Sequence, residues 1–134
     1  MGCGDGRGCS AYVGSRYGFP YGSLARKATD PKVRLLLLCN PHNPVGRVWT
    51  QAELMCIGEI CLRNDVLVVA DEIHCELVYS GHTYIPFASI SDDFRNRSVT
   101  CTSPSKAFNL AGLQIANIFA ADESVRVKID KAIN

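Results

Sequence analysis

Val33-Arg34-Leu35-Leu36-Leu37-Leu38-Cys39, followed at once by Asn40-Pro41-His42-Asn43-Pro44-Val45-Gly46, decides the fold. The first seven residues are a short, nearly continuous apolar run, the pattern of a strand buried on both faces in a parallel sheet. The next seven hold two Asn-Pro steps and a glycine, so the chain leaves the strand in a loop. Thr50-Gln51-Ala52-Glu53 is a capping-box sequence, with Thr50 as N-cap and Glu53 reaching back. Behind it Leu54, Ile57 and Cys61 recur at helical spacing, which predicts a helix ending near Asn64. Val66 to Ala70 is a second buried strand that turns polar abruptly at Asp71-Glu72.

The pattern continues outward in both directions. Ser98 to Thr102 reads as a third strand, followed by Ser103-Pro104-Ser105-Lys106. Ile115 to Ala120 reads as a fourth. The link between them is about a dozen residues, near the minimum for a parallel crossover, so the fourth strand is expected to run antiparallel. Between the second and third strands Gly81 and Pro86 mark turns, with a short helix near Phe87 to Ile90. Glu123 to Ile133 has the look of a helix. Upstream, Leu24 to Thr29 is a short helical stretch ended by Asp30-Pro31. Residues 1–23 hold seven of the eleven glycines and little apolar periodicity. They are expected to be irregular or poorly ordered, and residues 24–134 to form the folded part. The fold class expected is α/β, a partial and mostly parallel sheet with crossover helices.

Composition excludes several functions. The chain has 134 residues, 47% hydrophobic, with a formal net charge of +1. That is too apolar for a disordered chain and too balanced for a basic nucleic-acid binder. The apolar runs fall far short of the ~20 residues that a membrane helix needs. Residues 1–6 lack the apolar core of a signal peptide. The seven cysteines are an odd number with no C-x-x-C pair. Five sit in or beside apolar runs, which suits buried, reduced thiols and a cytoplasmic protein better than a disulfide framework. Cys39 with His42, or His74 with Cys75, matches no common zinc spacing, and no metal site is expected.

In open α/β sheets ligands bind beyond the carboxyl ends of the strands. Three polar clusters fall there: Asn43 after the first strand, Asp71 and His74 after the second, and Ser103, Ser105 and Lys106 after the third. Taken singly, each has an ordinary structural explanation as a turn or loop residue. Together they fit one cofactor. Pyridoxal phosphate needs an amine for its aldehyde, an anion for its ring nitrogen, a donor for its phenolic oxygen, and hydroxyls or backbone N–H groups for its phosphate. A lysine placed just after a buried strand is also expected to be partly desolvated, which favours the nucleophilic free base.

Asn40-Pro41-His42-Asn43-Pro44-Val45-Gly46, Asp71-Glu72-Ile73-His74 and Ser103-Pro104-Ser105-Lys106 resemble three signature segments of the fold-type I pyridoxal-phosphate enzymes, aminotransferase class I/II. Asp71 to Cys75 and Lys106 to Gln114 further resemble the MalY/PatB group of cystathionine β-lyases. The likeness covers about residues 24–134, which would be part of the large domain of such an enzyme. It implies that Lys106 holds the cofactor aldehyde, Asp71 pairs with the pyridinium nitrogen, and Asn43 donates to the phenolic oxygen. His74 stands where many aminotransferases have a tyrosine with that last task. Ser103 and Ser105 would bind phosphate. Gln114 stands where many aminotransferases place a phosphate-binding arginine, a departure that suits the lyase group. The activity implied is β-elimination from a small sulfur amino acid: Lys106 takes the Cα proton, a thiolate leaves, and pyruvate and ammonia result. A class I/II aminotransferase and a non-catalytic fragment that serves only association are the alternatives. The family is longer than this chain and dimeric. The chain is therefore expected to be a fragment, inactive alone, of a homodimeric enzyme.

Overall fold

A computed structural model describes residues 11–13 and 16–134. Strands β1 (Ala11–Val13) and β2 (Arg16–Gly18) form an antiparallel ribbon. Helix α1 (Tyr21–Ala28) follows. Then come β3 (Leu35–Cys39), α2 (Gln51–Arg63), β4 (Leu67–Asp71), α3 (Asp92–Asn96), β5 (Ser98–Thr102), α4 (Pro104–Ala107), β6 (Asn117–Ala120) and α5 (Glu123–Ile133). Single 3-10 turns lie at Phe87–Ser89 and Ala111–Leu113.

The main sheet has the order β3-β4-β5-β6. β3, β4 and β5 are parallel, and β6 returns antiparallel to β5, as its short connection predicts. The register aligns Cys39 with Asp71 and Asp71 with Cys101. The capping box forms as read: Thr50 Oγ1 accepts from Glu53 N–H, and Glu53 Oε2 accepts from Thr50 N–H at 2.9 Å. Asn64 caps the other end of α2.

Leu36 and Leu38 of β3 and Val68 and Ala70 of β4 point to one face, where they pack with Leu24, Leu54, Ile57, Phe87 and Trp49. Gly58 lets α2 approach closely, because a Cβ there would lie 2.3 Å from the Phe94 ring.

Three expectations are corrected and one element is added. β3 is buried on one face only: Leu35 and Leu37 are exposed, because no described element covers that side. Residues 11–23 are not wholly irregular. They hold the β1–β2 ribbon and the first turn of α1, which begins at Tyr21 because the Pro20 carbonyl accepts the first helical N–H groups. Residues 1–10 lie outside the described residues. Cys61 alone of the described cysteines is fully buried; Cys39, Cys75 and Cys101 are half-buried and Cys56 is exposed. Finally, α3 was not anticipated; Ser91 caps it and Phe94 anchors it in the core.

Candidate active site

The three polar clusters all sit where the parallel strands end. The loop after β3 carries Asn43, and it is well braced. Asn40 is fully buried, with Oδ1 accepting from Trp49 N–H at 3.1 Å. Trp49 Nε1 donates to the Cys39 carbonyl at 3.0 Å. Arg47 stacks over the Trp49 ring at 4.6 Å and pairs with Glu53 at 2.6 Å. Burial alone would raise the Glu53 carboxyl, but hydrogen bonds from Thr50 and Arg47 outweigh it and hold the group below its ordinary range. The peptide bonds Asn40-Pro41 and Asn43-Pro44 are cis.

Asp71 ends β4 and is half-buried, with Oδ1 accepting from Ile73 N–H at 3.2 Å. Its register partners on either side are Cys39 and Cys101, so two thiols flank the carboxylate. Burial, and the Asp71 charge alongside, push both thiols above their ordinary pKa, and both stay protonated at neutral pH. The Cys39 thiol donates to the Pro41 carbonyl at 3.2 Å.

Past β5, Ser103 caps α4. Its hydroxyl donates to the Ile115 carbonyl at 2.6 Å and accepts from Ser105 N–H at 3.1 Å, and the two serine hydroxyls are 2.9 Å apart. Lys106 follows on α4 and is exposed. The desolvation expected of Lys106 is therefore not seen, because α4 is a single turn that nothing described covers. Gln114 adopts a left-handed conformation, φ 51°.

A cavity of about 890 Å³ opens between the loop after β3 and the segment after β4. Asn43 and His74 both line it, with His42, Glu76, Tyr79 and His82. Asp71, Ser103, Ser105 and Lys106 stand outside that lining, at the ends of β4 and β5. The donor set nevertheless fits pyridoxal phosphate: an accessible amine, a carboxylate shielded by two neutral thiols, an amide and an imidazole on one wall, and two hydroxyls beside the amine. Burial holds the His42 imidazole below its usual pKa, so this ring is neutral at pH 7.

Asn40 and Glu72 are buried polar side chains beside the strand ends that sequence reasoning passed over. Period-2 alternation carries the signal: with Asp71 on one face, Glu72 falls on the core face, where a charge is conspicuous.

Comparison with known proteins identifies the relatives of this chain. The family model for aminotransferase class I and II matches residues 21–134. Cystathionine beta-lyase PatB of Bacillus subtilis is 49% identical over 117 residues, covering 87% of this chain and 30% of PatB. Cystalysin from Treponema denticola, whose crystal structure contains pyridoxal 5'-phosphate, superposes with a TM-score of 0.89 and 35% identity over 92% of this chain and 32% of its own. The pyridoxal-phosphate-bound C-S lyase from Staphylococcus hominis gives a TM-score of 0.84 and 37% identity, covering 91% of this chain and 31% of the lyase. The chain thus spans about a third of the length of these relatives.

Proposed function

The chain belongs to the aminotransferase class I and II family, and from that membership we propose that it is the cofactor-anchoring part of a pyridoxal-phosphate-dependent carbon–sulfur β-lyase. The whole enzyme's reaction is the cleavage of cystathionine, with one water consumed, to homocysteine, pyruvate and ammonia. The observation that carries the reading is the convergence of Asn43, Asp71 and Lys106 at the carboxyl ends of three adjacent parallel strands. The identity with PatB over most of the chain supports it. The role is assigned to residues 24–134, with the whole enzyme a cytoplasmic homodimer. Cys39, Cys56, Cys75 and Cys101 are free thiols, which supports that compartment.

Pyridoxal phosphate, when bound, supplies an electron-withdrawing ring joined to the substrate amine. The chain's residues bind and steer it. Lys106 Nζ would hold the aldehyde and serve as the base for the substrate Cα proton. Asp71 would pair with the ring nitrogen, with its flanking thiols adding no charge. Asn43 Nδ2 would donate to the phenolic oxygen, with His74 as the second donor. Ser103 and Ser105 would hold the phosphate. Since Lys106 and Asn43 are exposed here, cofactor capture rather than turnover is the activity expected of this chain by itself.

The test is reductive trapping. The chain is incubated with pyridoxal phosphate, reduced with borohydride and mapped by mass spectrometry. A single adduct on Lys106, absent from Lys106→Ala, is expected. Label spread evenly over Lys32, Lys128 and Lys106 would overturn the reading and leave a chain that serves only association. In a full-length form, a keto acid and a new amino acid in place of pyruvate and ammonia would assign aminotransferase chemistry instead.

A further inference from the structure

Two buried polar side chains have no part in the cofactor reading. Asn40 is 0% exposed and Glu72 is 2% exposed, and each stands one residue beyond its strand. Both reach the same piece of chain. Asn40 Nδ2 donates to the Ile85 carbonyl at 3.2 Å. Glu72 Oε1 accepts from Phe87 N–H at 2.9 Å, and Oε2 accepts from the Tyr84 hydroxyl. The far side of that segment is apolar: Phe87 is buried and its ring stacks on Phe94 at 5.1 Å. Residues 84–87 are thus a strap, pinned by strand ends on one side and by the core on the other.

Glu72 also belongs to the site's own turn. Its N–H donates to the Cys101 carbonyl at 2.9 Å, and its carbonyl accepts from Cys75 N–H at 3.0 Å. Asp71 precedes it and His74 lies inside the turn that this last bond closes. A buried carboxylate is weak as a source of stability, since an apolar residue of similar size usually serves as well. Its value lies in fixing a geometry through directed hydrogen bonds.

We propose that Glu72 is a positioning residue: by gripping Tyr84 and Phe87 it locks the strap against the end of β4 and so fixes the turn that presents Asp71 and His74. The inference rests on the reading of those two side chains as cofactor contacts, but its test needs no cofactor. Failure here and failure of the Lys106 trapping are therefore separate results.

The test is residue-resolved amide hydrogen exchange on the native chain, Glu72→Ala, Glu72→Gln and Tyr84→Phe. Glutamine can accept from Phe87 N–H through its oxygen and donate to Tyr84 Oη, so Glu72→Gln should keep native protection. Glu72→Ala should speed exchange at Phe87, Ile73 and Cys75 by at least about ten-fold, the scale of a lost buried hydrogen bond. Amides in the middle of α2 should not change. Tyr84→Phe, a milder change that keeps the fold, should loosen the same three amides to a smaller degree. Release of the strap at Phe87 with Ile73 and Cys75 unmoved would overturn the proposal. So would uniform acceleration across α2 and β4 in both variants, or failure of glutamine to restore protection.

Discussion

Among the described residues Glu72 is the buried acidic side chain, and burial has a sign that can be checked. Removal from water pushes its carboxyl above the ordinary 4.5, and the neighbouring Asp71 charge adds to the push; the donors Tyr84 and Phe87 N–H oppose it without cancelling it. The Tyr84 hydroxyl, buried against this carboxylate, is raised in turn and stays protonated. Because the folded value lies above the unfolded one, the folded chain binds the proton more tightly. The stabilisation from Glu72 is complete below about 4.5 and is lost as pH rises through the folded value. Glu72→Gln removes this dependence. Urea midpoints followed by Trp49 fluorescence should show the variant gaining on the native chain between about pH 4 and pH 7. Equal differences at both pH values would contradict the shift. At this scale Lys106, Asp71 and Asn43 are readily legible, since each follows a legible strand. Asn40 and Glu72 stayed hidden because their partners, Ile85, Tyr84 and Phe87, are brought to them only by tertiary folding.

The elements that local rules govern were the legible ones. α2 carries its own N-cap and a clear apolar stripe, and β3 and β4 are apolar runs bounded by turns. α3 escaped notice because five residues hold too little periodicity to register, and what secures it is Phe94. That packing yields a prediction about α2. Gly58→Ala in a helix interior normally adds roughly 1 kcal/mol through propensity. Here the new Cβ would meet the Phe94 ring at 2.3 Å. Overpacking of about 1–3 kcal/mol should outweigh the gain and lower the urea midpoint. Combining it with Phe94→Leu should cost less than the two single changes added together, because the pair shares one contact. Simple additivity would mean that α2 and α3 do not press on each other.

The molecule as a whole has one well-filled side and one open side. The sequence predicts β3 as a strand with two covered faces, and its composition is indeed that of one. Within this chain, however, Leu35 is 52% and Leu37 67% exposed. The opposite margin of the sheet is β6, where Ile118 is 44% and Phe119 59% exposed. Among the described residues β3 and β6 are also the two edge strands of the main sheet, so apolar surface coincides with backbone that no described strand pairs. Charged side chains are the usual protection for such edges, and neither strand has one. Self-association through these margins should follow. Light scattering of the native chain should give a mass above that of a 14.6 kDa monomer, rising with concentration. Leu37→Lys places a charge on the open face without touching Leu36 or Leu38, which face the core. It should lower the associated mass while leaving the far-UV circular dichroism of the helices intact. A monodisperse monomer at all concentrations for the native chain would show that these margins are protected in solution. An unchanged mass in Leu37→Lys would shift the contact to β6, where Phe119→Lys makes the same test.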